Sequence, residues 1–205
     1  MKFEISDIPS SHLVIDFNKD EKIISEKGCL IYSDGEYNFE NKIEAKGYKS
    51  LLALIGGKSL TYAIYTAKED LKMAFSTKDN SEIFEIKINN NCPVLFNPSN
   101  HFSRSYGIET MPSGFDRDLF IKTTGSGSLF LKYYGKIIKK EINSTKPIYV
   151  NADSVIAYEE ELDVESVDGV MKTFISGEVE LYNVKGKGKI WIQSKGKIEF
   201  KKDWN

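Results

Sequence analysis

The chain has little of what most catalytic chemistries need: its 205 residues include only two histidines, two cysteines and five prolines. His12 and His101 cannot build a three-histidine metal site, and zinc held by thiolates or carboxylates would need a ligand spacing that the sequence does not contain. The HExxH and GxSxG motifs are absent. Serines are plentiful, but a nucleophilic serine needs a base within hydrogen-bond reach, and two histidines in unlike contexts offer little choice. His101 is expected on the surface or in a loop, and no catalytic residue, cofactor or metal ligand is expected anywhere. Cys29 and Cys92 stand far apart without CxxC spacing, so both read as buried free thiols rather than a disulfide.

Long apolar runs are also missing. The densest, Leu51 to Ile55, stops at Gly56 and Gly57, far short of the roughly 18 residues that cross a bilayer. The opening MKFEISDIPSSHLVIDFNKD has scattered charges, no apolar signal core, and acids too early for a transit peptide, so a cytoplasmic protein is expected. A net charge of −2 and a pI near 5.8 supply no global basic field for nucleic acid or anionic membranes, so such binding would need a local patch.

What is present is a globular composition, 40% hydrophobic and 28% charged, with period-two alternation along most of its length. Apolar residues recur two apart at Leu60, Tyr62 and Ile64; Leu71, Met73 and Phe75; Leu129, Leu131 and Tyr133; Val179 and Leu181; Ile190 and Ile192; and Ile198 and Phe200. That spacing puts them on one face of a strand and leaves the residues between for water or a second layer. Many short strands punctuated by Gly and Asn predict an all-β sandwich or barrel, and all-β domains often reach this length as one unit. Helical spacing is confined to Tyr48, Leu51, Leu52 and Ile55, and to Val170, Met171 and Phe174. Each stretch fits one or two turns, or equally an apolar loop capping a barrel end.

Comparing the chain with itself gives its strongest internal signal. GSGSLFLKYYGKI from Gly125 aligns without a gap with GKGKIWIQSKGKI from Gly186, 61 residues later, and the preceding strands keep the offset. PVLFNPSN from Pro93 matches PIYVNADS from Pro147, 54 residues later. A weaker first copy runs through GCLIYSDGEY and SLTYAIYTAKEDLKMAFS. Three units, at about 1–90, 91–145 and 146–205, are expected to form one domain over 1–205 with a pseudo-threefold arrangement and a shared core. Gly125, Gly127, Gly177, Gly186 and Gly188 read as structural turn glycines in hairpins. A phosphate-cradling loop is a poor reading, because it would need a helix after the glycines, where a strand pattern follows.

Charge is uneven near the end. Asn151 to Asp168 holds seven acids and no Lys or Arg, whereas Lys185 to Lys202 holds seven lysines against the single acid Glu199. These read as solvated strand faces, as segments that pair across a subunit contact, or as a lysine face for lipid headgroups or nucleic acid. The candidate anion-binding residues are Lys185, Lys187, Lys189, Lys195 and Lys197. Trp191 and Tyr182, close by, read as buried anchors more readily than as base-stacking platforms, so the nucleic-acid signal is weak.

The stretch from Val155 to Gly196, with SLFLKYYGKI and KGYKSLLALIGGKSL, resembles the altered inheritance of mitochondria protein 24 family. The resemblance covers about Gly28 to Gly196 and departs from the family at Phe115-Asp116-Arg117-Asp118, where members usually carry a small-residue glycine motif. It implies a TRAP-like double-stranded β-helix or sandwich of three related hairpin units, self-association into a homo-oligomer, and no catalytic residues. The expected function is a non-catalytic self-associating scaffold or binding protein, in contact with a membrane periphery or an anionic ligand. The alternative is an anion-binding module built on the C-terminal lysines. An enzyme in the manner of other double-stranded β-helix proteins would rest on fold analogy alone.

Overall fold

A computed structural model describes residues 1–6, 11–43, 61–115, 118–167 and 180–195. Among these, every regular element is a β-strand except two single-turn 3-10 helices. The expected turns around 48–55 and 170–174 lie outside the described residues.

Three antiparallel sheets form. The four-stranded sheet runs in the order β1 (Lys2–Ser6), β2 (His12–Phe17), β7 (Leu71–Ser76), β4 (Leu30–Ser33). In the six-stranded sheet the order is β5 (Tyr37–Ile43), β6 (Thr61–Ala67), β3 (Lys22–Glu26), β10 (His101–Ser105), β13 (Gly127–Tyr133), β8 (Glu82–Ile88). The seven-stranded sheet runs β11 (Ile108–Phe115), β12 (Asp118–Gly125), β9 (Val94–Phe96), β15 (Val155–Glu159), β17 (Leu181–Gln193), β14 (Ile137–Asn151), and β16 (Leu162–Ser166) pairs with β17 beside β15.

The six-stranded sheet is the middle layer, and alternation along β13 shows why. Phe130 points into a core shared with the four-stranded sheet, containing Leu13, Ile15, Met73 and Phe75. Leu129 and Leu131 point the other way, into a core with Phe96, Ile121 and Trp191 of the seven-stranded sheet. A third core lies on the far face of that sheet, around Phe120, Tyr158, Val184 and Ile190. The sheet therefore curls around its own apolar side chains. Burial of three separate clusters is the main stabilising term, at roughly 25 cal/mol per Å² of apolar surface removed from water.

The Leu71, Met73 and Phe75 face is the core face, as the spacing predicts. Strand β6 differs: Ala63, Tyr65 and Ala67 enter the core, while Tyr62 is buried against His101, ring centroids 4.6 Å apart. Two buried hydroxyls between strands are paired. Ser103 Oγ donates to the Ile24 carbonyl at 3.0 Å. Thr123 Oγ1 accepts from Val94 N and donates to Val94 O, both at 3.0 Å, so a side chain extends the short β9–β12 ladder.

The segments from Pro93 and Pro147 adopt the same local geometry. Asn97 and Asn151, both extended, each cap a 3-10 turn, at Pro98–Asn100 and Ala152–Ser154, and strands β10 and β15 follow. The boundary drawn near residue 145 falls inside β14, at a register shift between Ser144 and Ile148.

The paired glycines are not hairpin turns. Gly125 ends β12 and Gly127 begins β13, but β12 belongs to the seven-stranded sheet and β13 to the six-stranded one, so the chain changes sheet there. Lys68 to Asp70 make the same kind of crossing between β6 and β7. Gly186 and Gly188 lie inside the continuous β17, where its partner changes from β16 to β15. Bends explain them: Gly125 has φ +89° and Gly186 φ +110°, which side-chain-bearing residues rarely adopt. Self-comparison reveals the repeated glycines but not their partners. Gly177 is outside the described residues.

Candidate functional site

Lys185, Lys187 and Lys189 alternate with Gly186 and Gly188 along β17 and so face one side of the sheet. The acidic stretch meets them within the same chain, because β16 runs antiparallel to β17 with Asp163 opposite Lys185. Lys185 Nζ lies 3.0 Å from Asp163 and 3.6 Å from Glu165. Lys189 Nζ is 3.3 Å from Glu159 Oε1, and the Lys189 backbone N–H donates to Glu159 Oε2 at 2.9 Å. Hydrogen bonds to Asp163 and Glu159 raise the pKa of Lys185 and of Lys189 respectively. Complementary charge is therefore used between neighbouring strands of one chain. Lys187 and Lys195 are exposed, with no ion pair among the described residues, and Lys197 is outside those residues.

The opposite end of the same face is buried. Trp191 is 7% exposed, and Tyr182, on the other face, is 4% exposed, so both are core anchors. Beside Trp191 the core between the six- and seven-stranded sheets opens into a cleft of about 540 Å³. Phe84, Ile86 and Lys87 of β8 form one wall, Ile137, Lys139 and Trp191 the other, and Cys92 and Glu159 close one side. Burial, then the neighbouring Glu159 carboxylate, raises the Cys92 thiol pKa.

A second polar centre lies wholly inside. His101 is 3% exposed in β10 and Arg104 1%, which corrects the expectation of a surface histidine. Arg104 Nη1 donates to His101 Nε2 at 3.1 Å, and the guanidinium lies 5.0 Å from the Tyr62 ring centroid. Because Nε2 accepts, Nδ1 carries the proton, and no acceptor lies within its reach among the described residues. Burial, with Arg104 and Lys132 adding repulsion, holds the imidazole well below its ordinary pKa. Neighbouring Lys132 pairs with Glu26 at 2.8 Å. The centre is packed inside the sheet.

Among the described residues, no three His, Cys, Asp or Glu side chains are grouped to hold a metal, and no helix is long and apolar enough to cross a membrane. Neither the cleft nor the buried pair could be found by motif, since Phe84, Lys139 and Trp191 come from three distant segments. The lysines of β17 were found by their charge run.

No curated protein matches the chain. Among solved structures, the crystal structure of a Streptococcus pyogenes protein is similar with a TM-score of 0.76 at 18% identity, covering 95% of this chain and 94% of that one. That likeness is one of fold. A family model described as mitochondrial biogenesis AIM24 matches residues 3–195, nearly the whole length, and the chain therefore belongs to that family.

Proposed function

We propose that the chain is a non-catalytic scaffold or binding protein that associates with copies of itself through strand edges. One observation carries this reading. Six of the exposed large apolar side chains, Ile31, Tyr32, Phe39, Met111, Ile138 and Tyr149, lie on β4, β5, β11 and β14, which are outer strands of the three sheets. Outer strands offer unpaired backbone groups, and proteins that stay monomeric usually guard them with lysine, proline or bulges. Strand β14 has such guards in Lys139, Lys140, Lys146, Pro147 and its register shift, and β11 has Pro112. Strand β4 has neither lysine nor proline, only a register shift between Leu30 and Tyr32, and in β5 the first five residues, Tyr37 to Asn41, lack all three.

These two strands follow one another in the chain and edge adjacent sheets, so they supply the self-association surface. Size-exclusion chromatography with light scattering is expected to show a discrete oligomer at micromolar concentration, and Tyr32→Lys with Phe39→Lys should reduce it to the monomer mass. A parent protein that runs as a strict monomer defeats this reading.

A second reading, recognition of an anionic surface by β17, is favoured by the exposed Lys187 and Lys195, which have no ion pair among the described residues. Vesicles rich in anionic lipid should then retain the protein at low salt and lose the Lys187→Glu, Lys195→Glu variant. Equal retention of the two removes it.

A further inference from the structure

We propose that the cleft between β8 and β14/β17 binds a small organic anion with a flat aromatic body and a single negative charge. The proposal does not depend on self-association, since the residues that carry it lie outside β4 and β5.

Size comes first. A volume of about 540 Å³ lies within the range of roughly 300–1,000 Å³ that encloses small molecules. The cleft is also the open mouth of a core, because Ile86 and Trp191 on its walls belong to the buried cluster between the two sheets and Phe84 and Ile137 pack against that cluster. An apolar body entering here extends packing that already exists. Two of the apolar groups are aromatic, Phe84 and Trp191, and aromatic walls favour a flat partner that stacks or meets them edge-on.

Charge selects the other half of the ligand. Three lysines and two carboxylates line the cleft. Lys87 is taken by Glu85 and also donates to Ser128 Oγ at 2.9 Å. Lys189 is taken by Glu159, whose two oxygens receive both its ammonium and its backbone N–H. Both acids are thereby committed, which disfavours a cationic ligand. Lys139 remains, exposed and without an ion pair among the described residues. It sits directly across the ladder from Trp191, so the two side chains leave the same face of the sheet, with Cβ atoms about 5 Å apart. A carboxylate on Lys139 places an attached ring system over Trp191. With one uncommitted cation, the site suits a monoanion rather than a polyphosphate. Cys92, held as a thiol beside Glu159, adds a soft wall and no nucleophile.

The test is calorimetric titration of the full chain with 2-naphthoate, a flat monoanion that fits the cleft. Expected are saturable one-site binding below millimolar concentration, at least tenfold weaker binding to Lys139→Met and Phe84→Ala, and unchanged binding to Lys19→Met, an exposed lysine outside the cleft. Neutral 2-naphthamide should bind at least tenfold more weakly than the acid. Parent-like thermal unfolding of Lys139→Met shows that its loss is local, because that side chain is exposed and supports no core. No saturable binding by the parent, equal affinity of Lys139→Met, or equal affinity of acid and amide overturns the proposal. Tighter binding of decanoate than of 2-naphthoate also overturns it, in favour of an acyl-chain site.

Discussion

Arg104 donates to His101 inside the middle sheet, two basic groups 3.1 Å apart, with both side chains almost completely buried. The contact forms only while the imidazole is neutral. In the folded protein burial first, and then the Arg104 and Lys132 charges, depress its pKa, whereas in the unfolded chain it returns to about 6.5. Between those two values the unfolded chain binds a proton that the folded one refuses, so this contribution to stability is fully present above pH 6.5 and is lost as the pH falls below it. Denaturant unfolding at several pH values should show parent stability falling, relative to His101→Gln, by up to about 1.4 kcal/mol per pH unit below 6.5. Parallel curves for the two proteins would sink the assignment.

The glycines at the strand bends differ in what they tolerate. A Cβ on Gly125 would lie 2.2 Å from the Gly107 carbonyl oxygen at a φ of +89°, whereas one on Gly188 would meet the Leu162 side chain at 3.1 Å without a positive φ. Gly125→Ala is expected to cost about 2 kcal/mol or more, and Gly188→Ala to stay within about 1 kcal/mol of the parent. Equal losses measured by chemical denaturation would mean that backbone conformation is not what holds Gly125.

Phe130 is fully buried in the outer core and meets Phe3 with ring centroids 5.1 Å apart. Its truncation to Ala should lower the unfolding free energy by about 3–5 kcal/mol, because the strands on either side are pinned by their ladders and cannot collapse into the space. A loss below about 1 kcal/mol would show that this layer is not closely packed.

The two thiols should react at different rates. Burial pushes Cys29 up to about 12, so in the native protein at pH 7.5 it should resist a disulfide reagent until the chain unfolds. Cys92 is partly exposed, and its pKa is raised first by burial and next by Glu159. Glu159→Gln removes that negative charge, lowers the thiol pKa and should speed the Cys92 reaction severalfold at fixed pH. A rate unchanged by the substitution would show that burial alone governs it.

Much of the strand pattern was legible, and the reasons are local. Leu71, Met73 and Phe75 alternate with smaller or polar residues, so their parity is unambiguous, and all three enter one core. In β6 the run Tyr62-Ala63-Ile64-Tyr65 is apolar throughout, and parity alone could not choose its face. His101 was misplaced for a different reason. Residues three apart on a regular strand face opposite sides, but a register shift between His101 and Ser103 turns His101 toward Arg104. The lysine run was visible as charge, while its intramolecular partners depended on β16 lying beside β17. The cleft had no sequence signature, because it exists only where two sheets meet.

Strand β17 is hydrogen-bonded to β14, β15 and β16, all of which precede it in the chain. During synthesis, the four- and six-stranded sheets can assemble before residue 181 leaves the ribosome, while in the seven-stranded sheet β15 is held by β9 alone and β14 and β16 wait for their partner. The two cores that receive Trp191 and Ile190 close only when this last strand inserts. Non-local pairing of this kind is slow and leaves strand edges open to other chains. The newborn protein thus passes through a stage in which the edges of β14, β15 and β16 that β17 will cover are still open.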